Sequence, residues 1–134
     1  AVLARDTAAT HVLVCNDARM KEVYTALFRR DETGLAALEG RERVMQPASV
    51  ELPPSAGNAV RRVMGAGRGF RAYPQLVDRL RGELVAIDDA ILPAAGEIAV
   101  LAAAAFRAGE AVAPELLQPV YLRDEVAVPA AGHG

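Results

Sequence analysis

The side chains that could do chemistry in this chain fall into five short groups. The first is Asn16-Asp17-Ala18-Arg19-Met20-Lys21-Glu22-Val23-Tyr24, which sets two carboxylates around a guanidinium directly after the apolar run His11-Val12-Leu13-Val14-Cys15. A carboxylate where a buried strand ends stands at the edge where ligands gather in α/β folds, so Asp17 is a candidate for a metal or phosphate contact. Its residue type equally suits a turn cap that accepts from its own backbone and pairs with Arg19, and this is the reading we favour. The second group, Gly65-Ala66-Gly67-Arg68-Gly69, follows an apolar run and precedes a helical stretch. It lacks the full dinucleotide fingerprint, so the glycines read first as a tight strand-to-helix connection. Asp88-Asp89 has no third ligand nearby in sequence, and suits a loop and helix-capping role before Pro93 better than a metal. Pro119-Val120-Tyr121-Leu122-Arg123-Asp124-Glu125-Val126-Ala127 packs a Tyr, an Arg and two acids into a β-prone stretch. Exposed ion pairs add little stability, so such a cluster on the surface would serve specificity.

The fifth group is the cysteine and the histidines. Cys15 is the single cysteine, so it forms no internal disulfide and suits a reducing compartment. His11 and Cys15 share a strand face but lie about 13 Å apart along it, and His133 stands in a Gly-rich tail. A Cys/His nucleophile is therefore not supported, and Cys15 reads as a buried, inert thiol. No Ser/His/Asp, zinc-ligand or P-loop pattern occurs. With net charge −2, no tryptophan and 4% aromatic residues, the chain has neither a basic field nor a stacking platform for nucleic acid. No stretch reaches membrane-spanning length, and no signal peptide is seen.

The elements that must position these groups follow from periodicity. Residues 1–10 read as the tail of a helix without a start. His11–Cys15, Glu22–Arg29 and Leu35–Gln46 suggest an antiparallel meander, with Asp31-Glu32-Thr33-Gly34 as a hairpin turn. Pro47–Asn58 is a long connection with a helical turn. Val60–Met64 forms a fourth strand ending at the glycines, Tyr73–Leu80 a short helix with Pro74 in its first turn, and Leu84–Ile87 a brief strand. Pro93–Ala108 is the best-defined helix, stopped by Gly109, and Val120–Arg123 a final extended piece. A meander followed by alternating strands and helices gives an α/β domain with a mixed sheet and flanking helices. Its 134 residues suffice for one core.

The two outer motifs, together with Leu92-Pro93-Ala94-Ala95 and the glycine loop, resemble in order and spacing the C-terminal half of the TsaB (YeaZ) family. That family comprises accessory subunits of bacterial tRNA threonylcarbamoyladenosine synthesis. The resemblance runs from about His11 to Ala127, and family members usually carry a further N-terminal half. It implies the ribonuclease-H-like domain of the actin/Hsp70-type ATPase superfold for residues 11–127, residues 1–10 as the tail of an interdomain helix, and 128–134 as a flexible tail. It implies a non-catalytic scaffold in the cytoplasm, working with a TsaD-type catalytic subunit and a TsaE-type ATPase and reaching tRNA only indirectly. No membrane is involved, and a homodimer is left open. No cofactor is expected, although the family leaves room for a weak ATP/ADP contact at Gly65, Gly67 and Gly69. Arg19 stands where the wider superfamily has a phosphate-approaching glycine, which argues against nucleotide hydrolysis. The candidate interdomain or partner surface comprises Asp17, Arg19, Glu22 and Tyr24 as one hairpin site, with Tyr121 and Arg123 elsewhere on the domain. The alternatives are a nucleotide-binding or peptidase-like enzyme of the same superfold, and a self-contained binding module with the glycine loop as its ligand site.

Overall fold

The computed structural model describes residues 8–54 and 60–123. Five strands form one mixed sheet: β1 (His11–Asp17), β2 (Val23–Arg30), β3 (Ala36–Met45), β4 (Val63–Ala66) and β5 (Leu84–Asp88), in the order β3-β2-β1-β4-β5. The first three are an antiparallel meander, while β4 pairs parallel with β1 and β5 parallel with β4. Three helices follow, α1 (Gly69–Ala72), α2 (Pro74–Arg79) and α3 (Ala95–Arg107), with single 3₁₀ turns at Pro47–Ser49 and Pro114–Leu116. This mixed sheet has the ribonuclease-H-like arrangement that the resemblance implied.

Local chemistry explains the joints. At the β2–β3 hairpin, the Asp31 carboxylate accepts from the backbone N–H groups of Thr33 and Leu35, and Gly34 takes φ 83°. The expected Tyr73–Leu80 helix is present as Pro74–Arg79, with a separate one-turn helix, Gly69–Ala72, before it. Pro74 disfavours helical geometry in the residue before it, so Tyr73 leaves the helical region (φ −131°, ψ 86°) and α1 and α2 meet there. The fourth strand is later than the apolar run suggests. Val60 is exposed, while Val63–Ala66 finds its ladder along β1, which moves Gly65 from the loop into the strand. Val120–Arg123 forms no strand. Asp124 and Glu125, with the expected segments 1–7 and 128–134, lie outside the described residues.

The sheet has two apolar faces. On one, Leu13, Cys15, Val23, Leu27 and Val63 pack against Phe70, Leu76 and Leu80 of the α1–α2 segment and against Val50. Leu76 and Leu80 are fully buried, each contributing roughly 1.5–3 kcal/mol relative to exposure. The other face is thinner, with Ala9, Val12 and Ala66 buried and Val14, Phe28, Met64 and Ile91 half covered. Helix α3 lies beside that face across an apolar cleft of about 230 Å³ lined by Val12, Val14, Phe28, Ile91 and Leu101. It buries none of its own residues.

Candidate functional site

The site grows from the C-terminal end of β1. Five residues, Ala18 to Glu22, connect Asp17 to Val23, with the Ala18 N–H donating to the Glu22 carbonyl and the Glu22 N–H to the Arg19 carbonyl. The chain must therefore reverse tightly. It does so with Arg19, Met20 and Lys21 all left-handed, at φ 62°, 51° and 62°. Each such non-glycine residue costs roughly 1–2 kcal/mol against the right-handed form, so the turn persists because its surroundings hold it. Arg19, at the position where the superfamily pattern has glycine, keeps a glycine-like backbone and directs its side chain to solvent, 89% exposed.

Asp17 restrains the turn from one side. Its Oδ1 accepts from the Arg19 backbone N–H at 2.9 Å and from the Tyr73 hydroxyl at 2.9 Å, and Oδ2 lies 3.9 Å from the Arg19 guanidinium. The Arg19 N–H first, and the Tyr73 hydroxyl after it, hold the Asp17 carboxyl below its ordinary range. Loss of solvation first, then the adjacent carboxylate, pushes the Tyr73 phenol up. The capping and pairing roles read for Asp17 from sequence are both present.

Arg123 restrains the turn from the other side. One guanidinium nitrogen donates to the Ala18 carbonyl at 3.2 Å and to a Glu22 carboxylate oxygen, and the other lies 3.5 Å from the Met20 sulfur. The Arg123 and Glu22 side chains are only 15% and 30% exposed, so the pair is largely withdrawn from water. The expectation that Arg123 sits elsewhere on the domain is thus corrected. The final segment folds back over the turn, and residues 101 positions apart form one ion pair. Tyr121, two positions before Arg123, is 75% exposed. Tyr24 does not join them: it pairs with Asn16 on the sheet face opposite Val23, away from Asp17.

The glycines serve this same corner. A Cβ on Gly65 would lie 2.8 Å from the Phe70 ring, and one on Gly67 or Gly69 would lie 2.5 or 2.7 Å from the Cys15 carbonyl oxygen. Gly67 also takes φ 109°. Close approach of the β4–α1 connection to β1 is what requires them, in agreement with the tight-connection reading. Cys15 is fully buried, its sulfur 3.4 Å from the Thr25 hydroxyl, and burial pushes the thiol up to about 11. His11 is engaged elsewhere, by the Thr10 hydroxyl at Nδ1 and by Glu39 at Nε2, with Arg61 donating to the second Glu39 oxygen. Asp89 accepts both prongs of the Arg71 guanidinium, and Asp88 caps Ala90. The residue leading into α3 is Ala94 rather than an acid, so the expected helix-capping role of the acidic pair becomes a turn and ion-pair role. Among the described residues no group of three or more His, Cys, Asp or Glu could hold a metal ion, and no helix is long and apolar enough to cross a membrane.

Sequence reading missed Tyr73 as the second donor to Asp17 and the backbone of Ala18 as the seat for Arg123. Pro74 marks a break at Tyr73, but nothing local in sequence signals a partner 56 positions away.

No family model matches the chain. It is 38% identical over 125 residues to the tRNA threonylcarbamoyladenosine biosynthesis protein TsaB of Escherichia coli (strain K12), covering 92% of this chain and 52% of that protein. A crystal structure of a Pseudomonas aeruginosa protein described by its similarity to peptidase YeaZ superposes with TM-score 0.74 at 36% identity, over 91% of this chain and 53% of that one. YeaZ from Pseudomonas aeruginosa gives TM-score 0.72 at 34% identity, over 90% and 53%. The chain is therefore a TsaB-like (YeaZ-like) sequence with the same fold, spanning about half the length of the relatives it matches.

Proposed function

We propose that this domain acts as a non-catalytic accessory element in tRNA threonylcarbamoyladenosine synthesis, working through a TsaD-type subunit, with a TsaE-type ATPase in the same assembly and tRNA reached only through them. The observation that carries this reading is the convergence of both outer motifs on one rigid, exposed turn. Asp17 and Arg123 spend hydrogen bonds on the turn's backbone, and Tyr73 and Glu22 hold those two side chains in place, so the corner is built for shape rather than proton transfer. A thiol nucleophile is disfavoured because Cys15 is buried and its pKa is raised to about 11, leaving almost no thiolate at neutral pH. The glycine loop supports packing more directly than it supports a nucleotide contact, since its close neighbours are Phe70 and the Cys15 carbonyl.

Co-elution of this chain with a TsaD-type subunit tests the reading, with a full-length TsaB-type protein run beside it. Co-elution of the chain is expected. If only the full-length relative binds, this domain is a structural support rather than a docking element.

A further inference from the structure

We propose that the turn between β1 and β2 docks an acidic segment of a protein partner, with Arg19 and Lys21 meeting its carboxylates. Met20 would provide the apolar contact, and Arg123 the latch that keeps the turn in binding shape. This inference rests on the accessory-element reading above and specifies the chemistry of its partner.

Charge distribution is the first support. The acids of the turn are directed inward, Asp17 toward the Arg19 backbone and Tyr73, Glu22 toward Arg123. The cations are directed outward. The Arg19 side chain is 89% exposed and touches Asp17 only at 3.9 Å. Lys21 is exposed and has no ion pair among the described residues. Among the described residues the tip thus presents two cations whose neighbouring carboxylates, Asp17 and Glu22, are already engaged, and this steers acidic partners toward it.

Preorganisation is the second. Three successive left-handed residues, pinned on both sides, hold the tip in one conformation before any partner arrives, which reduces the ordering cost of association. The neighbouring surface is the third. Met20, between the two cations and 64% exposed, is a flexible thioether of the kind enriched at protein interfaces. Phosphate-rich RNA fits less well, because two cations on a chain of net charge −2 make a small footprint.

Affinity of this chain for a TsaD-type subunit, measured at 50 and 200 mM salt, tests the proposal. Asn tolerates left-handed geometry, so the Arg19→Asn, Lys21→Asn double variant removes the charge without disturbing the turn. It should melt like the parent yet bind about tenfold more weakly or worse, and the parent's affinity should fall with salt. Arg123→Met should also weaken binding although both tip cations remain. If the parent binds and the Asn double variant binds equally well, the proposal is overturned and the accessory reading stands. If the parent does not bind, docking by this chain fails, and the proposal with it. A tip that binds tRNA alone, with charge-dependent affinity, would overturn the protein-partner identity.

Discussion

Arg19, Met20 and Lys21 show what single residues contribute here. A type I′ hairpin would normally place Gly or Asn at such angles, yet this turn uses three long side chains and relies on Asp17 and Arg123 to hold them. Two pH-dependent outcomes belong to this scale. The Asp17 carboxyl lies below its ordinary value in the fold, so its contribution is present above the unfolded value of about 3.9 and is lost as pH falls through the lower folded value. Asp17→Asn, which keeps an acceptor but loses the charge, should therefore be less stable at pH 7 and converge on the parent in acid melts. Cys15 runs the opposite way. Its folded value is raised from 9.0 to about 11, so the neutral thiol stabilises below pH 9 and that stability is lost between pH 9 and about 11. Cys15→Ser should flatten the alkaline limb of a pH–stability profile, and native Cys15 should resist alkylation at pH 8 until the fold opens. Much of this was legible in the residues themselves: Asp17 as cap and partner of Arg19, and Cys15 as inert. The Arg123 latch was not, because pairing across 101 positions leaves no periodic or spacing signal.

At the scale of elements, the meander, the Asp31–Gly34 hairpin and α3 follow from alternation, turn chemistry and an apolar run ended by Gly109. The β4–α1 connection was harder to read, because its glycines are dictated by what lies across from them. Gly67→Ala tests that cause. It forces a Cβ into the Cys15 carbonyl and the Asn16 side chain at a φ of 109°, and should destabilise the domain by roughly 1–3 kcal/mol from strain alone in urea unfolding. Gly82, also left-handed but with open space around it, should pay the backbone term only when changed to Ala, and so lose less. Helix α3 is the converse case, correctly read from sequence yet left with no buried residue. Its Ile98 and Phe106 are exposed on an element whose charged residues are Glu97 and Arg107, near opposite ends. Apolar faces of this kind favour association, so Phe106→Glu should raise solubility with little change in melting temperature.

At the scale of the whole molecule, the β1–β2 turn and Arg123 come together at one corner. The β1–β2 turn, the β4–α1 connection and the Arg123 side chain lie at the C-terminal ends of β1 and β4, the edge of a parallel pair where α/β folds place their functional groups. The chain accounts for about half of its relatives' length. A double-mutant cycle on Glu22→Gln and Arg123→Met, read by urea unfolding, tests most directly whether the turn and Arg123 act as one unit. A half-buried pair that also holds a backbone carbonyl predicts a coupling of roughly 1–3 kcal/mol, with either single variant losing most of the stability lost by the double. Additivity of the two changes to within about 0.5 kcal/mol would contradict it, and would separate the turn from the C-terminal segment.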